Sequence, residues 1–466
     1  MRVAFLHYHA KRGGVTRVVE QQMEALRDVA QSLFITGNGT NPETRVKPLI
    51  VPGAGYDGMR PEIPPEEIAE EILRAIESRW PSGCDILHVH NPLLRKNRDF
   101  LKILKILQKK GVTLFLQIHD TAEDLRPESY YFHEEYPENC HYGVINSRDF
   151  QLFLQAGLQP IGLHSLPNCV EPLPQVSSEK GGKNRDLVLY AVRAIRRKNV
   201  GETILLSCFL SSPYRIGITL PPTSPGDYPS YENWKSFVLK HNFPVEFELG
   251  MKYQLETLVD RSCFMITTSI REGFGFAFLE PWTVEKALFG RKIPYLAEDF
   301  ERRGVDLSDL YEQLRIPLDV LPLADVRGQW ETVVRETYGR YKLALEDEEL
   351  ENAWNTLIEG ECIDFPYLHP FIAQGMIHRC KEDSSVKKLL LELNPYLENL
   401  ASPDPDPEKI EKNRETVLRM YSKEKYRDQL LSIYQQVLTV PVKQKIHKKR
   451  LLRSFLNPKA FYLGGM

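Results

Sequence analysis

Cysteine is sparse and unpaired in this 466-residue chain. Its seven copies (Cys84, Cys140, Cys169, Cys208, Cys263, Cys362, Cys380) are scattered singly, with no Cys-x-x-Cys spacing. An odd, dispersed set argues against a disulfide framework and a cysteine zinc site, and fits a reducing cytoplasm. Long apolar runs are missing as well: Leu187–Val192 is one of the longer ones, far below the ~20 residues that span a bilayer. The opening MRVAFLHYHA carries one Arg and a short apolar stretch, Val3–Leu6, and reads as a first strand rather than a signal peptide. Excess charge is absent: 60 basic against 63 acidic residues leave a net charge of −3. A chain this balanced has no global electrostatic reason to hold nucleic acid, and none is expected as a partner. Apolar residues at 42% and charged residues at 26% place it among globular proteins, and its length suggests two or three domains.

What is present is alternation. Strands are expected at Arg2–Tyr8, Ser32–Thr36, Ile86–His90, Thr113–Ile118 and Val144–Asn146. Helices are expected over Thr16–Asp28, Pro65–Arg79, Phe100–Lys110 and Arg148–Ala156. Residues 171–183 (EPLPQVSSEKGGK) are nearly devoid of apolar side chains and read as a linker. A second series follows, with strands at Leu187–Ala191, Arg215–Leu220, Val245–Leu249, Cys263–Thr267 and Ile293–Leu296. Its helices are Gly201–Leu210 and Leu279–Phe289. Such spacing predicts an α/β fold: two doubly wound, parallel-sheet halves facing a cleft, the default place for a ligand. The expected organisation is a domain at 1–170, the linker, a second domain at 184–325 and a mostly helical extension at 326–466. Glu408–Val440 there reads as one long amphipathic stretch, and 346–379 gives no clear pattern.

The most informative string is Glu272-Gly-Phe-Gly-Phe-Ala-Phe-Leu-Glu280. Two carboxylates lie eight positions apart, the first before a Gly-Phe-Gly turn and the second where a helix is expected to start. The turn through Gly273, Phe274 and Gly275 would present backbone N–H groups and a helix N-terminus to an anion. Each glutamate could then accept hydrogen bonds from hydroxyls, of the kind two sugar rings offer. Arg193 and Lys198 follow the first strand of the second half, at the sheet's carboxyl end. A planar fork and a compact ammonium suit a diphosphate, whereas Arg196 and Arg197 read as solvated. In the first half, Gly13-Gly14 joins strand to helix and would let a phosphate or sugar approach the backbone.

In this arrangement the chain resembles the GT-B glycosyltransferases, specifically the retaining enzymes of glycosyltransferase family 4. The resemblance runs in order through GGV (13–15), DILHVHN (85–91), LQIHD (116–120), INSRDF (145–150), LPNCVE (166–171), AVRAIRRKN (191–199) and EGFGFAFLE (272–280). YSKEKYRDQLLSIYQQVL (421–438) looks like the family's closing helix. It implies transfer of a hexose from a nucleotide diphosphate sugar, of the UDP or GDP class, with retention of configuration. No metal or other cofactor would take part. Arg193 and Lys198 would hold the diphosphate, Glu280 the ribose and Glu272 the donor sugar. Gly14 would face sugar or phosphate, and His119 would sit beneath the transferred sugar. Departures are the Pro-Trp-Thr-Val-Glu that follows Glu280, the length of Ser211–Trp234, and 343–400, which has no family counterpart. The acceptor, the sugar and the nucleobase are left open. A glycoside phosphorylase and a non-catalytic sugar-nucleotide-binding protein are the alternatives.

Three further patterns compete with this reading. His7/His9 and His88/His90 place paired imidazoles on strand faces and could be metal ligands, but no third ligand is evident, and polar strand ends fit better. Asp404-Pro-Asp406 mimics a metal-binding Asp-x-Asp, yet lies in a Pro-rich loop with no strand before it. Lys443–Arg453 (KQKIHKKRLLR) has no acidic residue and could touch anionic lipid, although a solvated terminal helix is the plainer reading.

Overall fold

In the computed structural model the described residues are all but 12, 41–44, 176–184, 402–404 and 466. Most of the expected linker therefore lies outside them, as do Arg12 and Asp404. Contacts divide the chain into two compact units, Met1–Cys169 with Tyr421–Asn457, and Val170–Met420 with Pro458–Met466.

The first unit is a seven-stranded, wholly parallel sheet in the order β3-β2-β1-β4-β5-β6-β7. In chain order its elements are β1 (Arg2–Ala10), α1 (Gly14–Ala25), β2 (Gln31–Thr40), β3 (Leu49–Ile50), α2 (Pro65–Arg79) and β4 (Ile86–His90). Then come α3 (Phe100–Lys109), β5 (Leu114–Ile118), β6 (His141–Val144), α4 (Ser147–Gln155) and β7 (Leu163–Ser165). β4, β5 and β6 are buried along their whole length, as expected when helices cover both faces of a parallel sheet. α2 starts with Pro65 followed by Glu66 and Glu67, a residue that needs no donor and two charges that suit a helix N-terminus. The strand expected at Val144–Asn146 ends at Val144, because Asn146 turns to cap α4 by accepting from the Asp149 N–H at 2.8 Å.

The second unit carries a six-stranded parallel sheet in the order β10-β9-β8-β11-β12-β13. Its elements are β8 (Leu187–Arg193), α5 (Val200–Ser207), β9 (Arg215–Leu220), α6 (Tyr228–His241), β10 (Val245–Glu246), α7 (Leu249–Lys252) and α8 (Leu255–Arg261). They continue through β11 (Ser262–Thr267), β12 (Leu288–Arg291), α9 (Pro294–Glu301) and β13 (Leu310–Tyr311). A small antiparallel sheet, β14 (Arg315–Pro317), β15 (Ile358–Glu359) and β16 (Cys362–Asp364), is ordered β14-β16-β15. The unit's remaining helices are α10 (Leu323–Arg340), α11 (Asp347–Leu357), α12 (Pro370–Glu382), α13 (Ser384–Leu393), α14 (Glu398–Ala401) and α15 (Pro407–Met420).

Several sequence expectations need correction. No helix covers Leu279–Phe289: two short 3-10 turns (Phe276–Phe278, Glu280–Val284) are ended by Glu285 in the left-handed region, φ 56°. Leu288–Arg291 instead joins the sheet beside β11. Gly290 at φ 129° permits this, since a Cβ there would lie 2.0 Å from the Thr267 carbonyl oxygen. The strand expected at Ile293–Leu296 is the start of α9, with Pro294 in its first turn. β10 stops after two residues because Glu248 is also left-handed, φ 65°.

The extension at 326–466 is not one body. Glu408–Val440 breaks at Tyr421–Ser422 into α15 and α16 (Lys423–Thr439), with Ser422 capping the latter. α16 and α17 (Lys448–Phe455) belong to the first unit. Tyr426, Leu430 and Tyr434 of α16 share a buried cluster with Phe5, Phe34 and Phe115, and α17 adds Leu451 and Phe455 to the core. Truncating a fully buried leucine such as Leu430 costs about 2–5 kcal/mol.

Candidate functional site

In the second unit, the turn after β8 is tied down by hydroxyls. Tyr190 and Thr268 each donate to the Lys198 carbonyl at 2.9 Å, and the Ser269 hydroxyl lies 3.1 Å from that of Tyr190. Arg196–Lys198 forms a 3-10 turn closed by Asn199 at φ 50°, a conformation that Asn tolerates through its short polar side chain. The turn delivers the Lys198 ammonium to Glu272 Oε1, with which it is ion-paired. Arg197 reaches the other carboxylate oxygen, Nη2 to Oε2 3.8 Å. The expectation that Arg197 is solvated is therefore corrected. Arg196 points elsewhere, pairing with Asp227 at 3.0 Å. A 3-10 turn rotates about 120° per residue, so neighbouring arginines point to different sides of it.

Glu272 is only 7% exposed. Burial pushes its carboxyl up, but the charges of Lys198 and Arg197 outweigh it and hold the group below the usual range. Burial pushes the Lys198 ammonium down, opposed by Glu272. The loop is also held from behind. The Tyr295 hydroxyl, from α9, donates to the Glu272 carbonyl at 2.6 Å and accepts from its N–H at 3.3 Å. Gly275 sits at φ 86°, where a Cβ would meet Phe278 at 2.9 Å, so the Gly-Phe-Gly turn needs glycine there. Phe274 is buried against Phe300, with ring centroids 5.9 Å apart. Its side chain anchors the loop.

Glu280 begins the second 3-10 turn, and its carbonyl accepts from Thr283 Oγ1 at 2.6 Å. Since no α-helix follows Gly273, the helix N-terminus expected beside it is absent. Arg193 ends β8 and donates to the Pro221 carbonyl at 2.9 Å.

Behind this turn lies a polar core that sequence reasoning missed. Asn199 donates to Glu202 at 2.7 Å. Arg291 bridges Glu202 (2.7 Å) and Asp364 (2.8 Å), all three buried. Tyr311 donates to Glu202 at 2.7 Å, and Asp364 accepts from the Leu314 N–H at 2.8 Å. The 343–400 segment thus supplies, through Asp364 on β16, one end of a network whose other end fixes Asn199 next to Lys198. No spacing rule connects residues that far apart in the chain.

The first unit holds the remaining candidates. Gly13 is the N-cap of α1 with an extended backbone, and Gly14 is its first residue. A Cβ on Gly14 would meet nothing within 4 Å, and one on Gly13 only the Lys11 carbonyl oxygen at 3.9 Å. Neither packing nor backbone strain demands glycine here, and the open space at the helix start suits close approach of a ligand. His119 follows β5 and is buried, its Nε2 2.9 Å from His90 Nδ1 and its N–H donated to Asn91 Oδ1 at 2.7 Å. Burial pushes the His119 imidazole down to about 4, opposed by Asp120.

The paired histidines are engaged with protein. His88 sits between the Tyr434 hydroxyl (2.8 Å) and Gln117 Oε1 (3.0 Å), and burial pushes it down to about 3. His7 contacts the His90 carbonyl at 3.3 Å, and His9 accepts from the Lys11 N–H at 3.2 Å. Asp406 Oδ1 accepts from the Glu408 N–H at 2.9 Å and so caps α15. Among the described residues no three His, Cys, Asp or Glu side chains gather as a metal site, and no helix is long and apolar enough to cross a membrane. In the basic Lys443–Arg453 segment, Lys448 is buried and bonded to the Tyr131 and Glu134 carbonyls. With the apolar face of α17 inside the core, only the other cations are left to meet a surface.

No family model matches the chain. The mannosylglucosyl-3-phosphoglycerate synthase of Petrotoga mobilis is 25% identical over 436 residues, covering 83% of this chain and 82% of that protein. Among solved structures, Anabaena HepE in complex with UDP and glucose matches with a TM-score of 0.56 at 13% identity, over 93% of this chain and 99% of that one. Sucrose-phosphate synthase from Thermosynechococcus elongatus gives 0.53 at 12% identity, over 93% and 98%. A Rickettsia africae glycosyltransferase gives 0.54 at 11% identity, over 94% and 99%. The fold is that of the GT-B glycosyltransferases, two Rossmann-like units each built on a parallel sheet.

Proposed function

We propose that this chain is a GT-B glycosyltransferase that moves a hexose from a nucleotide diphosphate sugar to an acceptor, with retention and without a metal. The observation that carries the reading is the cluster of half-buried Lys198 and Arg197 on the buried carboxylate of Glu272 at the carboxyl edge of the second sheet. Breaking the sugar–phosphate bond builds negative charge on the departing diphosphate and positive charge on the anomeric carbon. Lys198 and Arg197, with Arg193 at the end of β8, stabilise the first, the task a divalent ion performs elsewhere. On donor binding, the diphosphate takes over the two cations that Glu272 now holds, and donor-sugar hydroxyls donate to the freed carboxylate. Glu280 receives the ribose hydroxyls. The acceptor attacks on the face from which the phosphate leaves, and the phosphate takes the acceptor proton. His119, neutral at physiological pH, offers a hydrogen bond rather than a charge to the transferred sugar.

HepE, seen with UDP and glucose, supports a UDP-sugar as the first donor to test. The relative's product supports a glycosyl phosphoglycerate as the first acceptor. The seven free thiols support a cytoplasmic setting. The test is a melting-temperature screen against UDP- and GDP-hexoses, followed by NMR of the anomeric configuration of any product, with and without EDTA. A raised melting temperature, a product keeping the donor's configuration and turnover that survives EDTA are expected. An inverted product, or activity restored only by magnesium or manganese, would reject the corresponding part of the reading.

A further inference from the structure

A cavity of about 660 Å³ opens within the second unit between α6, residues 320–322 and α12, and no residue of the turn that carries Lys198 lines it. Its volume lies in the range that holds one small organic molecule. One wall is apolar: Phe237, Leu321 and Met376 line it, and Phe371 stands at its mouth with 76% of its surface exposed. A large aromatic left this open on a helix is the kind of exposure that marks a binding surface.

The polar lining is one-sided. Lys240, His241, His378 and Arg379 all line the cavity, and no Asp or Glu does. The two imidazoles pack together with ring centroids 4.3 Å apart. Two further atoms of lining residues, Gln374 Nε2 and His378 Nδ1, are buried without a hydrogen-bond partner among the described residues. Buried polar atoms of native proteins are almost always satisfied, so a lining that leaves two of them unmet is short of a partner. An acceptor-rich anionic group meets both deficits: it accepts from Gln374 Nε2 and from His378 Nδ1 in the tautomer that carries its proton there, and it pairs with Lys240 and Arg379.

We propose that this cavity binds a single amphipathic anion, a carboxylate or phosphate on a hydrocarbon or aromatic body. The body lies against Phe371 and Phe237, and the head lies among Arg379, His378 and Lys240. Concavity and volume favour one molecule over a flat bilayer surface, and the absence of carboxylates disfavours a cationic ligand. The site is independent of the glycosyl-transfer reading, because none of its residues belongs to the donor turn.

The experiment titrates the full-length chain with 8-anilinonaphthalene-1-sulfonate, an apolar body with an anionic head, and follows its fluorescence. Saturable binding is expected, displaced by octanoate and not by acetate or octan-1-ol. Phe371→Ser and Arg379→Ala should each weaken it about tenfold, the loss of one good charged or apolar contact. Phe371 is exposed, so its substitution leaves folding intact, which circular dichroism checks. Unchanged affinity in both variants, or displacement by octan-1-ol as effective as by octanoate, would overturn the proposal. Phe371-dependent sedimentation with phosphatidylglycerol vesicles would overturn it in favour of a membrane-facing surface.

Discussion

Replacing Arg291 by Met should unfold the second unit more readily than any other single polar substitution in its core. Arg291 donates five hydrogen bonds to Glu202 and Asp364 and a sixth to the Glu312 carbonyl at 3.0 Å. Methionine fills much of the arginine stem's volume, so the cavity term is small. What is left is two buried carboxylates facing one vacated position, and the cost of removing one partner from a buried ion group is about 3–5 kcal/mol. Burial already pushes Glu202 up, and loss of Arg291 should push it further, so the variant should recover part of its stability in mild acid. Asp364→Asn keeps a hydrogen-bonding group in place and should cost only about 1–3 kcal/mol. Urea unfolding followed by tryptophan fluorescence is the assay, because Trp234, Trp282, Trp330 and Trp354 lie in this unit and only Trp80 in the other. An Arg291→Met protein as stable as the parent, or an Asp364→Asn protein more damaged than it, would refute the reasoning.

Lys198→Ala should lower turnover by roughly two to three orders of magnitude, the effect of losing one preorganised donor to a developing charge. Arg197→Ala should cost clearly more than Arg196→Ala; equal effects in steady-state assays of folded variants would mean that the Arg197–Glu272 contact is incidental. Glu280→Ala should raise the Michaelis constant for the donor more than it lowers turnover, since ribose contacts persist from ground to transition state; the opposite split would remove the ribose from Glu280. Burial pushes His7 and His88 down to about 3 and His119 to about 4. The unfolded chain then binds more protons below about pH 6.5, so stability is complete above that pH and falls on acidification. Each imidazole that stays neutral should contribute a slope of about 1.4 kcal/mol per pH unit. A urea midpoint flat between pH 6.5 and 4.5 would contradict this.

The doubly wound character of both units was legible because strand and helix leave different periodicities, and β1, β4, β5, β8 and β11 fall where apolar runs predicted them. Leu279–Phe289 was not, because its apolar residues suit a helix locally. Glu285 and Gly290 in positive-φ conformations, which no periodicity reports, turn the chain into β12 instead. Of the candidate site, the sequence singled out Lys198 and Glu272 in separate motifs, and the fold pairs them, a contact neither motif announced. Arg197 was misjudged because a run of three cations gives no phase for a 3-10 turn. Tyr295 and Asp364 were invisible, being joined to the site only through tertiary contacts.

The first unit is closed by its own distant tail. Tyr426, Leu430 and Tyr434 seal Phe5 and Phe34, and α17 seals α4, yet both helices follow the main part of the second unit, Val170–Met420, in the chain. During synthesis the first sheet must therefore wait, with that face bare, while about 250 residues of the other unit emerge, about 12–50 s at ordinary ribosomal rates. Residues 1–169 expressed alone would carry the same bare face permanently. The N-terminal unit is thus begun before the second unit and completed only after that unit's sheet and helices have emerged.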